Sequence, residues 1–145
     1  MFEPKLTVSD LDTLNFEKYE AVVRDLAKLD EDQLTTELST FPSEYSYYYG
    51  LAVAAKYRSG RATARYEEAR SKYLSEQRSS RTKLTVAAGE DLVNSNEDLV
   101  NHRKVVDEKE LIYSYLKGIC NTLDHKKDML VQLSSNKRQE TKLYQ

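Results

Sequence analysis

One uninterrupted heptad pattern constrains this chain more than any other feature. Between residues 45 and 73, a small or aromatic residue recurs at intervals that alternate between three and four. Such spacing places the residues along one side of an α-helix, and small residues allow a second helix to approach closely. The pattern therefore predicts a long helix with a packing seam formed by Tyr45, Tyr48, Ala52, Ala55, Ser59, Ala62, Tyr66, Ala69 and Tyr73.

A second long helix is predicted over residues 97–140, with Asn96 followed by two acidic residues as its start. Its apolar stripe contains larger side chains than the seam and would complement it. The expected architecture is all-α: a long antiparallel, coiled-coil-like hairpin of helices 43–82 and 97–140, joined by a connector in which Thr85 caps a short helix. The stripe consists of Leu99, Val105, Val106, Ile112, Tyr113, Leu116, Ile119, Cys120, Leu123, Leu130 and Leu133.

The region before the hairpin predicts a shorter N-terminal helix over residues 9–30, with Ser9 as its N-cap. A further helical turn is expected at 32–38. Pro42 is the one strong break in the body of the chain, and Ser43 is then the expected N-cap of the long helix. These signals divide the chain into an acidic helical segment, 1–42, and the hairpin, 43–145.

The composition favours narrow apolar stripes over a thick core. Apolar residues make up 39% of the chain and charged residues 32%, with three Phe and no Trp. Homo-oligomerisation would complete the burial of such stripes. Cys120 is the single cysteine, so an intrachain disulfide is excluded, and we expect a small buried hydrophobe in a reducing compartment. No signal peptide or transmembrane pattern is present, which favours the cytoplasm and no membrane contact.

The charge changes sign along the chain. Residues 1–49 hold four basic and eleven acidic side chains, a net of -7. Residues 50–83 hold nine basic and three acidic side chains, a net of +6. The basic segment could meet a polyanion, and the acidic segment could mask it or dock on the basic segment of a neighbouring subunit.

Two interpretations of the basic run remain open. It is either a solvated helix face, salt-bridged to acidic residues, or a surface for nucleic-acid phosphates. Six of its nine basic residues are arginine, which suits phosphate, and Tyr57 lies among them as a possible stacking partner for unpaired bases. The candidate nucleic-acid-binding residues are Arg58, Arg61, Arg65, Arg78, Arg81 and Lys83, with a second strip of Lys126, Lys127, Lys137 and Arg138.

Catalytic motifs are missing from the sequence. The two histidines, His102 and His125, lie about six turns apart on one predicted helix, with no Cys or His at metal-ligand spacing. No glycine-rich phosphate loop is present. We therefore expect a protein that is not an enzyme and that carries no cofactor, metal or catalytic residue.

Two segments resemble a known family. The first is residues 48–57, YYGLAVAAKY, which lead into residues 64–70, ARYEEAR. The second is residues 113–130, YSYLKGICNTLDHKKDML. Together they are similar to phage recombination mediator proteins of the UvsY-like kind, in which a basic helix with tyrosine and alanine precedes a connector and a closing helix. The resemblance covers roughly residues 45–138 and leaves the acidic N-terminal segment unmatched.

This resemblance implies a ring-like homo-oligomer that binds single-stranded DNA. Such proteins help to displace the single-strand-binding protein and load a RecA-like recombinase during recombination and DNA repair, in the host cytoplasm when phage-encoded. The alternative is a helical structural protein of the virion scaffolding or head-completion type, whose basic and acidic segments pair between subunits. Salt-dependent binding to single-stranded DNA separates the two.

Overall fold

The computed structural model describes residues 2–81 and 83–144, and all regular elements in this part of the chain are helices. Two 3₁₀ helices, Val8–Asp12 and Glu31–Gln33, flank α1, Phe16–Leu26. They are followed by α2, Leu34–Ser80, α3, Val86–Ser95, and α4, Glu97–Leu143. The all-α prediction is confirmed.

The predicted N-terminal helix over 9–30 is instead two separate elements. Ser9 does not cap it: the backbone N–H of Thr7 donates to the Asp10 carboxylate at 2.7 Å, so the 3₁₀ helix starts one residue earlier. Asn15 then caps α1 by accepting a hydrogen bond from the Lys18 N–H at 2.8 Å. Each cap uses a side-chain oxygen to satisfy backbone donors at a helix start, which fixes where the two elements divide.

The predicted break at Pro42 is wrong. Pro42 lies inside α2, and Ser43 is not an N-cap, because the helix already begins at Leu34. A proline in a helix interior removes one backbone hydrogen bond, so other contacts must hold the helix together. Glu37 and Glu44 supply them: one lies before the proline and one after it, and both bind Lys126.

The predicted signals around α3 and α4 are confirmed. Thr85 caps α3 by accepting from the Ala88 N–H at 3.1 Å, and Asn96 caps α4 by accepting from the Leu99 N–H at 3.0 Å. The first long helix was predicted to end at residue 82, which lies outside the described residues, and α2 ends at Ser80. The second extends three residues beyond its predicted end, to Leu143.

The predicted seam is confirmed by burial: each of its nine positions is buried or half-buried. The stripe on α4 also faces inward, with one exception. Val105 is 45% exposed, whereas its neighbour Val106 is buried. Phe16, the first residue of α1, is exposed.

The chain forms two compact units, Met1–Ala54 with Ile112–Gln145, and Ala55–Leu111. We call them the first and the second unit. The predicted domain boundary at residue 42 therefore falls inside the first unit, within α2.

In the first unit, the N-terminal segment is built into the core. The Tyr48 hydroxyl accepts a hydrogen bond from the Lys5 backbone at 3.0 Å, and the Tyr47 hydroxyl donates to the Leu6 carbonyl at 2.6 Å. Cys120 is buried with its thiol 3.8 Å from the Tyr48 carbonyl, as expected for a buried small residue. The largest fully buried side chains of the structure all belong here: Leu6, Leu11, Tyr48, Leu116, Ile119, Leu123 and Leu130.

The second unit has a core of smaller residues. Gly89 of α3 is buried, and a Cβ at that position would lie 3.4 Å from the Leu74 side chain. The guanidinium of Arg103 lies 5.6 Å from the Tyr66 ring centroid, so this seam tyrosine packs under a cation. The buried side chains of this unit are Ala55, Ser59, Ala62, Val93, Leu99 and Val106.

Among the described residues, no helix combines the length and the hydrophobicity needed to cross a membrane.

Candidate nucleic-acid interface

The first predicted basic strip lies in the second unit. Arg58, Arg61, Arg65 and Arg78 belong to α2, while Arg81 and Lys83 lie in the segment before α3. Arg58 is half-buried and the other five are exposed. Exposed guanidinium groups at fixed positions on a helix are suited to phosphate, because their planar donors match its oxygens.

Tyr57 is the aromatic residue most accessible to a ligand in this strip. It is 64% exposed, and the Arg61 guanidinium lies 5.8 Å from its ring centroid, with its Nη1 donor 3.3 Å from the Tyr57 hydroxyl. Tyr66 and Tyr73 are half-buried on the seam. The structure therefore leaves Tyr57 with Arg61 as the pair that offers an aromatic face and a positive charge together.

Part of the basic run is engaged in ion pairing. Arg70 forms an ion pair with Glu90 of α3 within the second unit. This agrees with the salt-bridged interpretation for that residue. Arg70 is not among the candidate binding residues, so the pair leaves the proposed strip intact.

Lys126 must be removed from the predicted second strip. It is 6% exposed, and its ammonium lies 3.2 Å from Glu37 and 3.3 Å from Glu44. A buried cation held by two carboxylates has no donor facing solvent for a phosphate. Burial raises the pKa of Glu44, while the charge and hydrogen bond of Lys126 oppose that shift. The sequence concealed this role because His125, Lys126 and Lys127 form one basic cluster along the chain.

The rest of the second strip lies on α4 in the first unit. Lys127, Lys137 and Arg138 are exposed. Lys137 lines a cavity of about 410 Å³ that also includes Glu31, Asp32 and Glu140. Carboxylates beside this lysine lower the positive potential that a polyanion would meet there.

The acidic N-terminal segment has a structural role that the sequence did not predict. Leu6, Leu11, Leu14 and Leu34 are buried in the first unit, and Glu37 holds Lys126. Deleting residues 1–40 would expose the core around Tyr48. Truncation is therefore an unsuitable test of whether this segment masks the basic helix.

His102 is exposed on α4. Its Nδ1 donates to the Asp98 carbonyl at 2.8 Å, since a carbonyl oxygen can only accept. Among residues 2–81 and 83–144, no group of three or more His, Cys, Asp or Glu side chains is placed to hold a metal ion.

Sequence reasoning missed a small cavity of about 290 Å³ in the second unit. It is lined by Ala62 and Arg65 of α2 and by Asn101, His102 and Val105 of α4. Arg65 was a candidate on charge, but nothing in the sequence connects it to Asn101. Their proximity depends on how the two helices pack.

No protein-family model, characterised protein or solved structure matches this chain.

Proposed function

We propose that this protein is a non-enzymatic, single-stranded DNA-binding recombination mediator. The observation that carries the proposal is the exposed pair Tyr57 and Arg61, followed one turn later on the same helix by exposed Arg65. Residues four apart lie on one face of a helix, so this row presents an aromatic face and two guanidinium groups to one ligand. Such a combination suits a strand with unpaired bases and a phosphate backbone.

The hairpin and the oligomer are part of this proposal. Within the first unit, Tyr48 contacts Cys120 and Glu44 contacts Lys126, so a later residue of α2 meets an earlier residue of α4. This pairing supports an antiparallel arrangement of the two helices. Tyr49 and Val53 lie four residues apart on α2 and are 54% and 58% exposed, which supports burial of that face against another subunit of a ring-like homo-oligomer.

The action on other proteins rests on the family resemblance of residues 45–138. In the proposed role, the assembled protein holds the strand by its backbone while the single-strand-binding protein is displaced and a RecA-like recombinase is loaded. The setting is the cytoplasm, that of the host if the chain is phage-encoded. Many weak contacts repeated around a ring give strong total binding, which suits a factor that must later release the strand.

The test is fluorescence anisotropy of a labelled single-stranded oligonucleotide at several salt concentrations. Binding should weaken steeply with salt, because phosphate binding releases counterions. The double variant Arg61→Ala/Arg65→Ala should bind more weakly. The slope of log affinity against log salt should flatten by about 0.7 for each phosphate that the variant no longer binds.

The matched control removes two exposed lysines, Lys28→Ala/Lys104→Ala, which lie outside both basic strips. It should leave the salt slope close to that of the parent protein. Light scattering on each variant checks that the assembly is retained and should give a mass above that of the 16.8 kDa monomer. Failure of the assembled protein to bind at low salt would reject the mediator function and favour the structural-assembly alternative.

A further inference from the structure

The cavity in the second unit combines apolar walls with polar groups. Ala62 is buried, and Val105 is the one stripe residue of α4 that is 45% exposed. Arg65, Asn101 and His102 complete the lining. At about 290 Å³ the cavity is at the lower end of the range for small-molecule sites, so it would take a single small group.

The lining chemistry resembles what an unpaired base requires. A methyl group and a branched aliphatic side chain can cover the flat face of a base. The Asn101 amide supplies one acceptor and two donors, and such an amide can pair with a base edge through two hydrogen bonds. His102 is held by its bond to the Asp98 carbonyl, which leaves its Nε2 available to a ligand.

We propose that this cavity is a nucleobase pocket that receives one unpaired base of the bound strand. The base lies against Ala62 and Val105, its edge pairs with Asn101, and Arg65 contacts the adjoining phosphate. This inference rests on the proposed single-strand binding and adds to it. The pocket makes part of the affinity depend on bases, whereas the arginine row depends on phosphates.

The pocket lies close along α2 to the stacking pair. Tyr57 and Arg65 are eight residues apart, or about 12 Å along the helix axis. A stacked strand rises about 3.4 Å per nucleotide, so roughly three to four nucleotides connect the two positions. One strand can therefore stack on Tyr57 and place a nearby base in the cavity.

The experiment compares two labelled strands of equal length, one with bases and one whose nucleotides are all abasic. Both carry the same phosphates. The parent protein should bind the abasic strand at least about fivefold more weakly, the lower end of the usual effect for one base–protein contact. Val105→Phe fills the cavity from its wall, so it should bring the ratio of the two affinities, strand with bases over abasic strand, closer to one. Asn101→Ala should reduce the same ratio.

The controls are Leu111→Phe and Asn94→Ala, which make the same kinds of change at exposed positions of the second unit away from the cavity. They should keep the ratio of the parent protein. A thermal melt of each variant identifies any loss of fold, and the Asn101→Ala result decides the question if Val105→Phe fails to fold.

The outcomes separate the two proposals. Equal binding of both strands by the parent protein would reject both the pocket and base stacking on Tyr57, and would leave only phosphate binding by the arginine row. The parent protein could prefer the strand with bases while the folded Val105→Phe and Asn101→Ala variants keep the same preference. That result would also reject the pocket and place base recognition elsewhere. Failure to bind either strand at low salt would reject the proposed function itself.

Discussion

The two compact units use the same two long helices for different purposes. In the first unit, the helices bury large side chains such as Tyr48 and Leu116, together with the charged Lys126. In the second unit, α2 buries Ala55, Ser59 and Ala62 and exposes arginines. Both units follow one heptad rule along α2.

The difference lies in what the rest of the sequence supplies to each unit. The first unit contains the N-terminal segment, whose leucines and carboxylates cover the helices. The second unit contains α3, a short helix with Gly89 and Val93 as its buried residues. A thin core buries less apolar area and stabilises less. The comparison indicates that the first unit, with its larger core, contributes more to stability, while the second exposes most arginines of the first basic strip.

Lys126→Met should produce the largest effect, a loss of stability in the first unit. It removes the cation but leaves Glu37 and Glu44, and an uncompensated buried charge costs about 3–5 kcal/mol. Chemical denaturation should show this loss in the free energy of unfolding. The control Lys127→Met changes the neighbouring exposed lysine and should have little effect. A similar loss for both variants would mean that the buried ion-pair arrangement is not formed.

Two glycine substitutions, one in each unit, should change the stability in opposite directions. A Cβ at Gly118, in the first unit, would lie 3.0 Å from Cζ of Tyr19 and overlap its hydroxyl. Tyr19 also stacks on Tyr115 with ring centroids 4.8 Å apart, so it has little freedom to move. Gly118→Ala should therefore destabilise by about 1–3 kcal/mol, the usual cost of overpacking.

Gly60→Ala in the second unit should instead stabilise. A Cβ there meets nothing within 4 Å, so the higher helix propensity of alanine contributes up to about 1 kcal/mol. Thermal melts of the two variants should shift in opposite directions. A melting temperature that rises for Gly118→Ala as it does for Gly60→Ala would show that Tyr19 does not pack against Gly118.

The smallest expected effect is a pH dependence from Glu44. Burial raises the pKa of Glu44, so the folded state holds this proton more tightly than the unfolded state. Its contribution to stability is complete below the ordinary glutamate pKa and is lost as pH rises through the raised value. Relative to Glu44→Gln, the parent protein should therefore gain stability as neutral solutions are acidified.

Urea denaturation of both proteins at several pH values measures this difference. Glu17→Gln, at an exposed position of α1, is the matched control and tests for an effect common to any glutamate substitution. The difference in free energy of unfolding between the parent protein and Glu44→Gln should grow on acidification. A difference that stays constant or changes in the opposite direction would contradict the raised pKa of Glu44.

Local signals predicted much of the fold. The caps Thr85 and Asn96 were identified directly, because a cap depends on a side chain and the next few backbone N–H groups. The signals at Ser9 and Pro42 misled for the complementary reason. At the N-terminus, Thr7 and Asn15 are the N-caps instead of Ser9. At Pro42, the helix continues because Glu37 and Glu44 both contact Lys126, which is distant in sequence.

The candidate site was predicted in part. Arg61, Arg65 and Tyr57 were identified from residue type and helical spacing, and they are exposed. The misassignment of Lys126 and the omission of Asn101 share one cause. Burial and proximity between α2 and α4 depend on the rotation of each helix where they pack, and a series of charges does not contain that information.

Residue types and their order are enough to predict the helical class, the seam along α2 and the concentration of arginines after Tyr57. These properties follow from residue spacing and type within one helix, which is local information. The tertiary structure alone decided that Lys126 is buried between two carboxylates, that the acidic segment belongs to a core, and that Asn101 and Arg65 line one cavity. Each of these depends on side chains far apart in the chain, which packing brings together.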